Sequence, residues 1–154
     1  MGDTGYELRA AHTGEGVFAT RGFAAGELVM RCVVAGPAGA NDTHANQVGP
    51  SAWVHEEGLA PMLNHSCDPN CGVALDGGGD YELRAREPIA AGDELTFDYA
   101  MRNHVVEHCP AACRCGTAAC RGAITGWKDL PADRRAAYAG FVAPYLLELD
   151  RAGA

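Results

Sequence analysis

Apolar residues fall in short runs broken by turn-forming glycines. Val17 to Thr20 and Leu28 to Val34 are apolar or β-branched stretches of strand length. Arg21-Gly22-Phe23-Ala24-Ala25-Gly26 lies between them and reads as a turn. Tyr81 to Arg86 alternates apolar and polar residues, as a half-buried strand does, and Leu95 to Tyr99 reads as another strand. Gly36 to Pro50 is rich in Gly, Pro, Asn and Ala and is expected to be a loop. The phrase Ala24-Ala25-Gly26-Glu27-Leu28 returns as Ala90-Ala91-Gly92-Asp93-Glu94-Leu95, with one residue inserted. Two such copies predict two similar strand-turn-strand units in one sheet system.

The last thirty residues change period. Pro131 opens a helical pattern with Asp129 or Leu130 near its cap. Tyr138, Phe141, Val142, Tyr145 and Leu149 then recur every three or four residues and mark one buried helical face. Pro144 is expected to break the pattern into two short helices. The predicted fold class is therefore mainly β with short C-terminal helices.

Composition narrows the picture. A chain of 154 residues with 47% hydrophobic and 21% charged residues fits one globular domain with its own core. The formal charge of −8 argues against direct nucleic-acid binding and suits a cationic partner. There is no charged-then-apolar leader and no apolar run of membrane-spanning length, so a soluble intracellular protein, cytoplasmic and without membrane contact, is expected. In that setting seven cysteines suggest metal binding more than disulfides.

Cys113-Arg114-Cys115-Gly116-Thr117-Ala118-Ala119-Cys120 is a C-x-C-x4-C cluster. Three thiolates this close can converge on one tetrahedral zinc ion, with Gly116 permitting the turn. The fourth ligand stays open on spacing alone: Cys109, Cys67, His104 and His108 are all candidates.

Three further segments carry candidate chemistry. They are Gly14-Glu15-Gly16, then Asn64-His65-Ser66-Cys67-Asp68-Pro69-Asn70, then Glu94-Leu95-Thr96-Phe97-Asp98-Tyr99. Each is ambiguous alone. In this order, followed by the cysteine cluster, they resemble the SET-domain lysine methyltransferases with a post-SET zinc motif. The resemblance spans about residues 6 to 124.

The resemblance implies a SET-domain fold of small curved sheets with a knot-like crossing. It implies a SET domain over residues 6–108, a post-SET zinc segment over 109–124 and a C-terminal helical extension over 125–154. It implies methyl transfer from S-adenosylmethionine to a lysine side chain of a protein or peptide. The alternatives are the same chemistry on a small amine, or a non-catalytic zinc-stabilised interaction module. Tyr99 would be the catalytic hydroxyl, and Phe97 would govern how many methyl groups are added. Glu15, Gly16, Asn64, His65 and Ile124 would hold the cofactor, with Trp127 an alternative to Ile124. Cys67 would complete the Zn2+ site with Cys113, Cys115 and Cys120. The stretch from Pro37 to Met62 is short and holds no tyrosine, where the family often supplies a second one to the active site; a shallow substrate groove follows, with His44 and Trp53 as candidates to line it.

Overall fold

The structure, a computed structural model, describes residues 3–76, 78–110 and 112–153. Among these residues, ten short strands make four small sheets. Strands β1 (Tyr6–Ala11) and β2 (Gly14–Ala19) form a hairpin. Strands β3 (Leu28–Cys32), β9 (Tyr81–Ala85) and β8 (Cys71–Leu75) form an antiparallel sheet with β9 in the middle. Strands β4 (Val34–Ala38), β6 (Ala52–Glu56) and β5 (Asn46–Gly49) form another around β6. The last sheet is two residues wide: β7 (Asn64–His65) runs parallel to β10 (Thr96–Phe97). Two short helices follow, α1 (Ala132–Ala137) and α2 (Pro144–Arg151). This is the mainly β architecture with C-terminal helices that the hydrophobic pattern predicts.

The two related turns are equivalent in detail. Glu27 accepts the N–H of Ala24 at 2.9 Å, and Asp93 accepts the N–H of Ala90 at 3.1 Å. Gly26 and Gly92 both take positive φ, which a side chain would resist. The units also meet each other, because Phe23 and Ile89 exchange both backbone hydrogen bonds at 2.9 Å.

Three expectations need correction. Gly36 to Pro50 is not all loop, because β4 and β5 occupy both its ends. Pro37 fits there because β4 is an edge strand and needs no donor on its outer side. Buried Gln47 also anchors β5: its N–H donates to Asn103 Oδ1 at 2.8 Å, and its Oε1 accepts the N–H of His104 at 3.0 Å. Strand β9 is buried at four of its five positions, not half-buried. Its Glu82 is held by Arg84 two residues on, at 2.7 and 2.9 Å, so the polar positions of the alternating pattern satisfy one another. The strand read over Leu95 to Tyr99 ends at Phe97. Asp98 accepts the N–H of Ala100 at 3.0 Å and turns the chain into a 3-10 helix, Tyr99–Met101.

The C-terminal residues close the core. Trp127, Tyr138 and Leu146 are buried, and full burial of a side chain such as Leu146 contributes about 2 kcal/mol. Leu130 ends a 3-10 turn, Trp127–Asp129, and Pro131 stands at the cap of α1, one residue later than the sequence suggests. Pro144 opens α2, as its position predicts. The expected single helical face is not found, because Tyr138, Phe141 and Val142 fall in the turn between the helices; Tyr138, Val142 and Leu146 are buried, and Phe141, Tyr145 and Leu149 are half-buried.

Gly126 lets this segment enter the core. A Cβ at Gly126 would lie 2.3 Å from the carbonyl oxygen of His104 and 2.8 Å from Val105 Cα. Backbone cannot yield as a side chain can, so Gly126→Ala is expected to cost roughly 1–3 kcal/mol. Urea unfolding of the two proteins, read by tryptophan fluorescence, measures the difference.

Candidate active site

The β7–β10 pair brings two distant motifs side by side. Asn64 pairs with Thr96 and His65 with Phe97. Asn70 ties the same segments again: its side chain donates to Glu94 O at 2.9 Å and accepts the Thr96 N–H at 3.1 Å. The turn after β10 places Tyr99 beside both rings of the pair. Its centroid lies 5.3 Å from that of His65, nearly edge-on, and 5.1 Å from that of Phe97.

The atoms around Tyr99 are specific. Its backbone N–H donates to His65 Nδ1 at 3.1 Å. Because Nδ1 accepts, the ring proton belongs on Nε2, which faces Cys67 Sγ at 3.3 Å. Burial pushes His65 down to about 4, so its imidazole is neutral at physiological pH. The Tyr99 hydroxyl donates to the Leu63 carbonyl at 2.7 Å. Burial, reinforced by Cys109 and Glu94, pushes the phenol well above its ordinary value, so it stays protonated. With its hydrogen committed to Leu63, the oxygen is left to accept a hydrogen bond.

Tyr99 stands in the wall between two cavities. One is a cleft of about 760 Å³, within the range of small-ligand sites. Glu15, Asn64, His65, Ile124 and Tyr99 all line it, together with Cys113 and Cys115. The other is much smaller, about 40 Å³, and is lined by Phe97, Tyr99, Leu63, Ala60 and polar residues of the 41–46 loop. His44 lines both, whereas Trp53 lines neither. Trp53 lies half-buried in β6 and pairs with Ala38 and Gln47. Trp127 is also a core residue: its indole N–H donates to Asp150 at 2.9 Å. Ile124 is the one of the two that reaches the cleft.

Gly16 explains the G-x-G signal. A Cβ there would lie 2.4 Å from Glu94 Oε1 and 3.0 Å from Asn64 Nδ2. Asn64 Nδ2 donates to Glu94 Oε1 at 2.8 Å and to the Glu15 carbonyl at 2.9 Å. Gly16 therefore makes room for the pair that joins the β1–β2 hairpin to β7. Both ring nitrogens of His65 are engaged inward, which leaves its backbone for any ligand in the cleft.

Four cysteines converge beside the cleft. The sulfurs of Cys67, Cys113, Cys115 and Cys120 all lie within 4.8 Å of one another. The Cys67–Cys113 separation is 3.8 Å. Zn–S bonds of about 2.3 Å in a tetrahedron require sulfurs roughly 3.8 Å apart, so this set fits a closed metal site. Burial raises the Cys67 and Cys113 thiols. At Cys115 burial also opposes ionisation, but hydrogen bonds led by the Thr117 hydroxyl bring it down to about 6. Cys109, His104 and His108 are not in the cluster, which leaves Cys67 as the fourth sulfur.

A buried network behind the site carries residues that the motifs do not single out. Asp98 has no solvent exposure. It accepts two hydrogen bonds from Arg121, at 2.6 and 3.1 Å, and one from the Tyr138 hydroxyl at 2.8 Å. Arg134 donates to the Cys67 carbonyl. Arg121 had one sequence signal, a cation directly after the last cysteine. Tyr138 had none beyond its place in the apolar stripe.

The SET domain signature matches residues 14–100, more than half of the chain. The chain belongs to the SET domain family. Over 68 residues this SET domain is 38% identical to the Neurospora crassa protein named histone-lysine N-methyltransferase, H3 lysine-4 specific. That overlap is 42% of this chain and 5% of the relative. The Saccharomyces cerevisiae protein of the same name is 35% identical over 68 residues, 42% of this chain and 6% of the relative. Among solved structures, KRYPTONITE in complex with mCHH DNA, an H3(1-15) peptide and SAH aligns with a TM-score of 0.60 and 26% identity. The alignment covers 77% of this chain and 29% of that one. This SET domain thus spans a small part of the length of the relatives it matches.

The cluster gives a direct test. Metal content by plasma mass spectrometry is expected to be about one ion per chain in the wild type and in Cys109→Ser. It is expected to fall sharply in Cys67→Ser.

Proposed function

We propose that this SET domain transfers methyl groups from S-adenosylmethionine to the side-chain amine of a lysine in a protein or peptide. The observation that carries the reading is the position of the Tyr99 oxygen, an unspent acceptor in the wall shared by a ligand-sized cleft and a narrow cavity. The curated relatives named as histone-lysine N-methyltransferases, and the peptide and SAH in the KRYPTONITE complex, support it.

The cleft suits the methyl donor. Asn64 and the backbone of Glu15 and His65 supply polar groups, and Ile124 an apolar wall for the adenine; Gly16 does not line the cleft and serves by making room for Asn64. Bound there, the donor would supply an electrophilic methyl group on a sulfonium. The residues of the chain handle the amine. Lysine must lose its proton to attack, which costs about 4 kcal/mol at pH 7.4 for a group of ordinary pKa. Where Phe97, Leu63 and Ala60 wall the narrow cavity, loss of water disfavours the ammonium and recovers part of that cost, while Asp42 and Glu107, which also line it, work the other way. Tyr99 accepts an N–H of the neutral amine and points the lone pair into the cleft. It is not the base, because its own proton is held by Leu63 and its pKa is raised. The amine proton leaves to solvent.

Phe97 lines the narrow cavity without a hydroxyl that could hold a water, so room remains for a second and third methyl group. The four-cysteine centre is read as a structural Zn2+ site. It would pin the post-SET segment, residues 109–124, against the cleft, with residues 125–154 as a supporting extension. Among the described residues no helix is long and apolar enough to cross a membrane. Among the described residues no cysteine is in a disulfide, which suits a reducing compartment.

Tyr99→Phe is expected to lower turnover about 100-fold, the scale of losing one positioned polar group, while S-adenosylhomocysteine still binds in calorimetry. Methyl transfer into a lysate with unchanged rates in this variant would sink the reading. Labelling confined to small amines would favour the alternative substrate class. Mass spectrometry is expected to find di- or trimethyl-lysine with the wild type and monomethyl-lysine with Phe97→Tyr.

A further inference from the structure

Arg121 joins the four-cysteine cluster to the turn that carries Tyr99. Its backbone N–H donates to Cys67 Sγ at 3.4 Å. Its guanidinium grips both oxygens of Asp98. Asp98 directly precedes Tyr99, and the same carboxylate accepts the Ala100 N–H that starts the Tyr99 turn. Among the described residues Arg121 is the one arginine paired with Asp98. A fully buried carboxylate is tolerated only when a cation and hydrogen bonds replace its water. The turn that carries Tyr99 therefore depends on where Arg121 is held.

Arg121 in turn is held by the cysteines. It follows Cys120 without an intervening residue, so a metal drawing Cys120 towards Cys67 also delivers the guanidinium to Asp98. The chain of contacts has few joints: Cys120 to Arg121 through the backbone, Arg121 to Asp98 through a two-pronged ion pair, and Asp98 to Tyr99 through the backbone. The planar fork of arginine suits this pairing, and the point charge of lysine does not reproduce it. Tyr138, at the C-terminal cap of α1, holds the other side of the carboxylate and its hydroxyl also lies 3.2 Å from the Cys67 carbonyl, which steadies the joint without replacing the cation.

We propose that Arg121 is a positioning residue that couples occupancy of the four-cysteine site to the placement of Tyr99. The functional half of this statement rests on Tyr99 being the catalytic hydroxyl; the structural coupling does not. Coupling is reciprocal, so the ion pair that metal promotes must also retain the metal.

Hydrogen exchange resolved by peptide tests the coupling without any turnover. Removing zinc from the wild type is expected to speed exchange at Tyr99 to Met101 about tenfold, a typical size for coupling between sites. Exchange in β8 and β9 should stay unchanged. Zinc-loaded Arg121→Gln should show the same local acceleration, and its zinc should pass to a chromogenic chelator about tenfold faster. Adding Asp98→Asn to Arg121→Gln replaces the ion pair by a neutral one and should restore part of the protection. Arg121→Lys, which keeps the charge, should fall between wild type and Arg121→Gln, and it serves if the glutamine variant does not fold. Wild-type exchange around Tyr99 in either single variant would overturn the proposal. So would acceleration spread evenly over β8 and β9, which marks general loosening. Where methyl transfer is measured, Arg121→Gln should lower kcat and leave the KM for the methyl acceptor unchanged. A protein that shows the exchange pattern but transfers no methyl group would sink the functional reading alone.

Discussion

A carboxylate with no access to water sits behind the site, and the local structure is arranged to keep it tolerable. Asp98 takes donors from its own turn, from the segment after the cysteines and from the residue that caps the first C-terminal helix. Leaving such a charge without partners would cost several kcal/mol. The three stretches are thereby drawn to one point. Because Asp98 lies between β10 and Tyr99, satisfying it also determines where the phenol points.

The two cavities differ in a way that suits different tasks. The larger is open enough for a ligand of nucleotide size, and its walls come from the β1–β2 hairpin, β7 and the cysteine segment. The smaller is bounded by aromatic and aliphatic side chains on one side, and by residues 41–46 with Glu107 and His108 on the other. Only a few side chains separate them, Tyr99 and Leu63 among them. The hydrogen bond between these two residues gives that partition a defined donor and a defined acceptor.

Much of this was legible in the sequence, and the parts that were not share a cause. The N-H-S-C and F-D-Y segments and the cysteine spacing could be read because each packs several groups into a few adjacent residues. Their convergence on one cleft and one cluster follows that reading. Strands β4 and β5 were hidden because glycine and proline weigh against a strand, while pairing to β6 and the bonds of Gln47 outweigh that preference. Apolar alternation continues through Tyr99 and argues for a strand there, yet the side chain of Asp98 ends the strand locally. Arg121 and Tyr138 act on Asp98 across 23 and 40 residues, a distance that no local pattern records.

The bond from Trp127 to Asp150 has a consequence for trimming the domain. The buried indole, Tyr138 and Leu146 lie C-terminal to the matched span, residues 14–100, yet they belong to the same buried core. A fragment cut to that span would leave the interior open to water and Asp98 without the Tyr138 hydroxyl. The unit that folds is therefore larger than the unit that the signature recognises.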